Sequence, residues 1–329
     1  MTRIAAIDCG TNSIRLLVAD ADPATGELVD LDRRMTIVRL GQGVDRTGRL
    51  APEALERTFA ACREYAQIIK DHGAEKVRFV ATSASRDAEN RDEFVSGVLD
   101  ILGVEPEVIS GDQEAEFSFT GATKELAGDE KGAERLPWKG GGGRRAGEDY
   151  LVADIGGGST ELVTGRDTVQ AARSVDIGCV RLTERHQPSS PATPEQVAAI
   201  REDIEAALDL AARTVPFAQG PEGAEGSRTL VGLAGSVTTV AAIALGLDTY
   251  DPSAIHHARI PYERVREVTE MLIGATHDEK AAIPVMHPGR VDVIVAGSLI
   301  LLALMERAGA AEVVVSEHDI LDGIGWSVA

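Results

Sequence analysis

Short apolar runs that stop on an aspartate set the pattern of this chain. Ile4-Ala5-Ala6-Ile7 leads to Asp8, and Leu151-Val152-Ala153 leads to Asp154. A glycine-rich turn and a second apolar stretch follow each, which predicts strands over 3–9 and 14–20 and a second hairpin from Tyr150. Another strand is expected around 36–40, ahead of the loop 41–45. Leu55, Phe59, Cys62, Ala66 and Ile69 recur at helical spacing, with Pro52 at the start and Gly73 past the end, so a helix is expected from Pro52 to Asp71. Val77–Ala81 reads as a short buried strand, Asn90–Leu102 as a helix, and Val108–Ile109 as a strand leading through Ser110 into another helix. In the second half the same reasoning gives a helix over 194–213, a strand Leu230–Leu233 opening an alanine-rich helix, a strand Val313–Val315 and a terminal helix over Asp319–Val328. Strands alternating with helices in two similar halves specify an α/β fold. Ligands of such sheets sit beyond the strand ends, where every glycine-rich or polar turn of this chain falls.

The two hairpins are one phrase written twice. Residues 6–18 and 152–164 align without a gap, setting Asp8 on Asp154, Gly10 on Gly156, Ser13 on Ser159 and Leu16 on Leu162. Glycine at such a turn lets backbone N–H groups close on an anion, because no Cβ intervenes. An aspartate beside that cradle repels a bare phosphate but suits a cation travelling with one. The duplication therefore points to two related halves closing on a phosphate–metal substrate; the plain alternative is two ordinary β-hairpins.

Composition narrows the field. The 329 residues suffice for about two domains. The most apolar stretch, Val293–Met305, is too short to cross a bilayer and reads as a buried helix. Asp8 interrupts the first apolar run, so no secretory signal is visible. Cys9, Cys62 and Cys179 have neither paired nor metal-ligand spacing, and a cytoplasmic protein with free thiols is expected. A net charge of −20 argues against nucleic acid and anionic membranes as partners. Residues 128–149 hold four consecutive glycines (Gly140–Gly143) among charged residues and almost no aliphatics. They are expected to form a flexible, exposed insertion. The expected division is domain I over 1–124, the insertion over 125–149 and domain II over 150–329, with the terminal helix free to pack back on domain I.

The candidate chemistry lies on strand exits: Asp8, Glu114, Asp154 and Glu161. Phosphoanhydride hydrolysis needs a positioned water, a carboxylate to take its proton and charge neutralisation at the oxygens. A third glycine turn, Gly232-Leu233-Ala234-Gly235-Ser236, opens a helix, where N–H groups favour anions, although tight strand–helix turns also use glycine for packing. Arg86, in the loop after Ala81, suits a phosphate or else is a surface arginine. Arg15 stands where the second copy has Glu161. That asymmetry fits either a phosphate-facing and a metal-facing half or an inter-domain ion pair. His256, His257 and His287 lack metal spacing and read as satisfied or surface histidines.

The chain resembles the exopolyphosphatase / guanosine pentaphosphate phosphohydrolase (Ppx/GppA) family of the actin–sugar kinase superfamily. Ile7–Leu16, Ala81–Asn90, Ile109–Ala115, Asp154–Leu162, Leu233–Thr239, Gly289–Gly297 and Val315-Ser316-Glu317 carry the resemblance, in order and across nearly the whole length. It implies two ribonuclease-H-like (actin-like ATPase) domains facing each other across a cleft, and Mg²⁺-dependent release of terminal phosphate from inorganic polyphosphate. It further implies Glu114 as general base and Asp154 and Glu161 as residues positioning metal and water, with Asp8 adding a metal ligand. Thr11, Asn12, Ser13, Arg15, Arg86, Gly156, Gly157, Gly158 and Ser159 are implied as phosphate contacts, joined by Gly235 and Ser236 of the third turn. Many members carry Glu-Glu-Ala where this chain has Gln113-Glu114-Ala115, and longer members have additional helical domains. A preference for shorter polyphosphate is therefore expected. Members are often dimers, so a homodimer is expected too. Guanosine pentaphosphate (pppGpp) hydrolysis is the alternative within this chemistry. A small-molecule phosphotransferase, or a non-catalytic polyphosphate- or nucleotide-binding regulator, is the alternative outside it.

Overall fold

A computed structural model describes residues 1–22, 24, 27–124, 149–217 and 228–328. The glycine-rich stretch, apart from Asp149, lies outside the described residues. The chain divides into two compact units, one of Met1–Gly121 with Ile320–Ala329 and one of Ala122–Asp319. Among the described residues no helix is long and apolar enough to cross a membrane.

The first unit is built on β1 (Thr2–Cys9), β2 (Ser13–Asp22), β3 (Glu27–Ile37), β4 (Lys76–Ala81) and β5 (Glu107–Val108). Their order is β3-β2-β1-β4-β5, an antiparallel meander continued by two parallel strands. Alternate residues of β1 serve different cores, which is why its sequence is apolar without alternation. Ala5, Ile7 and Cys9 join a cluster with Tyr65 and Ile69 of α1 (Pro52–His72) and Phe94 and Val98 of α2 (Arg91–Leu102). Ile4 and Ala6 pack instead with Ile320, Leu321 and Ile324 of the terminal helix, Ile320–Val328. That helix lies close on α3 (Gly111–Thr123): a Cβ on Gly323 would fall 2.1 Å from the Phe117 carbonyl oxygen. Arg33 of β3 reaches Asp322 with Nη2 at 2.5 Å and Nη1 at 3.4 Å.

β3 differs from the strand expected over 36–40. It covers Glu27–Ile37, an exposed edge strand whose many charged residues hide the apolar signal. Past Ile37 the chain leaves the sheet to hold the first hairpin turn. Val38 and Arg39 both donate N–H bonds to the Asn12 carbonyl, and Gly41 donates to that of Thr11. Gly41 is required there, since a Cβ would lie 2.2 Å from Thr11 Cγ2.

The second unit repeats the plan with β6 (Tyr150–Ile155), β7 (Thr160–Gly165), β8 (Val169–Val175), β9 (Thr229–Leu233), β10 (Arg259–Pro261) and β11 (Glu312–Val315). The order β10-β11-β9-β6-β7-β8 matches the first sheet strand for strand once β10 is set aside. Its core takes Leu151, Ala153 and Ile155 from β6, and Ile200, Ile204 and Leu208 from a helix over Pro194–Ala211. A helix over Ile294–Ala308 is buried from Ile294 to Met305, which accounts for the most apolar stretch.

Candidate active site

The written repeat is a geometric one. In the first turn Gly10 N–H donates to the Ser13 carbonyl at 3.0 Å; in the second, Gly156 N–H donates to that of Ser159 at the same distance. Cross-strand register then sets Asp8 opposite Arg15, and Asp154 opposite Glu161. Asp8, Asp154 and Glu161 are all buried.

The two copies differ in charge. Arg15 binds Asp8 Oδ2 twice, through Nη2 at 2.6 Å and Nε at 3.0 Å. This is a pair within one hairpin, because adjacent strands bring the two side chains to the same face. In the second hairpin two carboxylates face each other, and Glu161 Oε1 accepts a 2.6 Å bond from Ser174 Oγ on β8.

The other first-unit candidates cluster on two strand exits. Thr11 Oγ1 and Ser83 Oγ share a buried 2.8 Å hydrogen bond. Arg86, on a short helix over Ser83–Asp87, spends Nη1 on both the Ile109 carbonyl and Glu114 Oε2, each at 3.0 Å. These are its only bonds among the described residues, leaving Nε and Nη2 for a ligand. Glu114 is buried in the first turn of α3. Asn12 and Ser13 are half-buried at the first turn, and Asn12 Oδ1 is enclosed with no hydrogen-bond partner among the described residues.

In the second unit α4 (Cys179–His186) shapes the glycine turn. Cys179 N–H donates to the Gly156 carbonyl at 3.0 Å, Val180 and Arg181 N–H donate to Gly157, and Arg181 Nε donates to Gly158. A trans peptide points its N–H opposite its C=O. The N–H groups of Gly157, Gly158 and Ser159 therefore turn away from α4, the orientation an anion cradle needs. Gly178 permits this approach, since a Cβ there would stand 2.3 Å from the Gly157 oxygen.

Gly235 and Ser236 open α5 (Ala234–Ala244). A Cβ on Gly235 would collide with the Arg290 guanidinium, so that cation lies directly on the turn. Arg290 Nη1 also donates to Thr239 Oγ1 at 3.3 Å. Ser236 fills the space left by Gly297, and burial raises the neighbouring Cys179 thiol above its ordinary range. Arg290, Tyr250 and Glu317 were not among the expected site residues, although the first and last fall in segments that carry the family resemblance. His256 Nδ1 accepts the Glu317 N–H, and its ring stacks on His257. His287 Nδ1 accepts the Gly289 N–H, also local in role.

No group of three or more His, Cys, Asp or Glu converges as a metal cage among the described residues. The donor set still fits a hard divalent cation that keeps part of its shell for substrate: Asp154 and Glu161 offer oxygen ligands on one face of one hairpin.

Two α/β units of ribonuclease-H-like strand order, each opening on an aspartate-bearing hairpin with a glycine turn, define a two-domain phosphate-handling fold. A profile of the Ppx/GppA phosphatase family matches residues 17–133 and 143–327, and the chain belongs to that family. It is 49% identical over 340 residues to a Mycobacterium tuberculosis protein named Exopolyphosphatase 2, covering 100% of this chain and 99% of the other. Among solved structures, an exopolyphosphatase-like protein shares 40% identity and a TM-score of 0.86, covering 99% of this chain and 97% of its own. An Aquifex aeolicus member of the Ppx/GppA family shares 30% identity and a TM-score of 0.76 over the same shares.

Proposed function

We propose that this protein is an exopolyphosphatase that hydrolyses the terminal anhydride of inorganic polyphosphate with Mg²⁺. The observation that carries the reading is Glu114, a buried carboxylate held at 3.0 Å by an arginine with donors to spare. The end-to-end likeness to Exopolyphosphatase 2 supports the substrate class.

In the second unit the glycine turn at Gly156–Ser159 holds phosphate oxygens, and in the first the spare donors of Arg86 do. Glu114 takes a proton from the attacking water. The new P–O bond forms as the P–O bond to the chain breaks, and the bridging oxygen leaves with the shortened polyphosphate. Asp154 and Glu161 would hold a divalent ion, which when bound neutralises charge on the phosphate oxygens. Arg86 serves both sides of the reaction, fixing the base with Nη1 and the phosphate with its remaining donors.

Phosphate release with Mg²⁺ from tripolyphosphate, long polyphosphate and pppGpp tests the reading, for wild type and Glu114→Gln. Release from polyphosphate, with kcat falling roughly 10²–10⁴-fold in the variant, is expected for a lost general base. Turnover of pppGpp alone would move the substrate to the nucleotide. Equal rates in variant and wild type would remove Glu114 from its role.

A further inference from the structure

Glu317 emerges from β11 beside the exit of β9, since Val315 pairs with Gly232 and Ser316 N–H donates to the Gly232 carbonyl at 3.0 Å. It thus stands at the same sheet edge as the Gly235–Ser236 turn. Its Oε1 accepts from Tyr250 Oη at 2.7 Å, and Tyr250 Oη lies 2.7 Å from Thr238 Oγ1 on the first turns of α5. Arg290 grips the same turns from Gly235 and Thr239. One helix start is therefore flanked by a cation bonded to its Thr239 and a carboxylate linked to its Thr238 through Tyr250.

We propose that Glu317 is a specificity-determining residue that sets how strongly Arg290 and the Gly235–Ser236 turn take up a phosphate chain, its negative charge weakening their grip. This rests on reading that turn as phosphate-holding. The charge of a carboxylate beside Arg290 offsets the attraction of the guanidinium and repels a polyanion directly. The groups facing Glu317 are Tyr250, Arg290, His256 and Asp319, and His256 is stacked on His257 and tilted against His318. Burial, first among these influences, holds the Glu317 carboxyl above the ordinary glutamate range, with Asp319 acting in the same sense. Tyr250, Arg290 and His256 pull it back down.

The test compares wild type, Glu317→Gln and Tyr250→Phe on tripolyphosphate with Mg²⁺ between pH 5.5 and 8.5. Comparing variants cancels the titration of the substrate itself. At pH 8 the Gln variant is expected to show a KM roughly tenfold lower than wild type, a larger change than any in kcat. The gap should narrow as pH falls and shrink in 0.5 M KCl, as a screened charge requires. Tyr250→Phe removes a bond that favours the ionised carboxylate, so its KM rise should move to higher pH. If wild type releases phosphate and Glu317→Gln follows its KM curve, this inference falls while the exopolyphosphatase reading stands. If wild type releases none, that reading falls, and calorimetric titration of both proteins with tripolyphosphate decides the inference by the same tenfold criterion.

Discussion

Asp322→Ala, set against Arg33→Ala, tests how the terminal helix is held on the first sheet. Asp322 is only 2% exposed, while the Arg33 side chain keeps about a third of its surface in water and has a second partner, Asp30, at 2.8 Å. Breaking a buried ion pair costs about 3–5 kcal/mol because a charge is left in low dielectric. Asp322→Ala strands only the half-solvated arginine, which retains Asp30, so its cost should fall to about 2 kcal/mol. Arg33→Ala removes the guanidinium from an enclosed carboxylate and should cost about 3 kcal/mol. Urea unfolding followed by Trp326 fluorescence, in a Trp138→Phe background, reads the helix carrying Asp322. With a urea slope of about 2 kcal/mol/M the midpoints should fall by about 1 M and 1.5 M. Midpoints within about 0.2 M of wild type, or a larger loss in Asp322→Ala, would refute the argument.

Three further outcomes are expected. Gly178→Ala should force the Gly157 carbonyl away, costing about 1–3 kcal/mol in urea unfolding and depressing phosphate release more than its stability loss explains. Arg86→Lys, whose single ammonium cannot span Ile109, Glu114 and a phosphate, should lower kcat/KM roughly 10–100-fold in the same assay. Because the folded state holds the Glu317 proton above the usual glutamate range, the unfolded chain releases it at lower pH. Stability conferred by this group is therefore lost as pH rises through that window. Glu317→Gln should accordingly gain in urea midpoint relative to wild type between pH 5 and pH 8.

Much of the fold could be read because its strands and helices carry their own signals. β1 and β6 are apolar on both faces, and the terminal positions of α1 are marked by Pro52 and Gly73. β3 largely escaped because an exposed edge strand carries charge where a core strand carries valine. The paired hairpins were visible because turn chemistry is local, and the register that sets Asp154 against Glu161 follows from it. Arg290 and Glu317 were not legible as site residues: one reaches Gly235 and the other Tyr250, both from more than 50 positions away. Nor does sequence alone say whether Arg15 meets Asp8 or a ligand, since both outcomes need the same arginine on the same strand.

The first sheet takes its covering helix from the far side of the second unit, which has a consequence for biosynthesis. About 200 residues separate Gly121 from Ile320. At ribosomal rates that interval is roughly 10–40 s. Throughout it Ile4, Ala6 and Leu17 await Ile320, Leu321 and Ile324, while the uninterrupted second unit has every strand it needs before translation reaches the closing helix. The nascent chain thus carries an uncovered apolar sheet face through most of its own synthesis, a surface for chaperones to shield until the last turn of helix arrives.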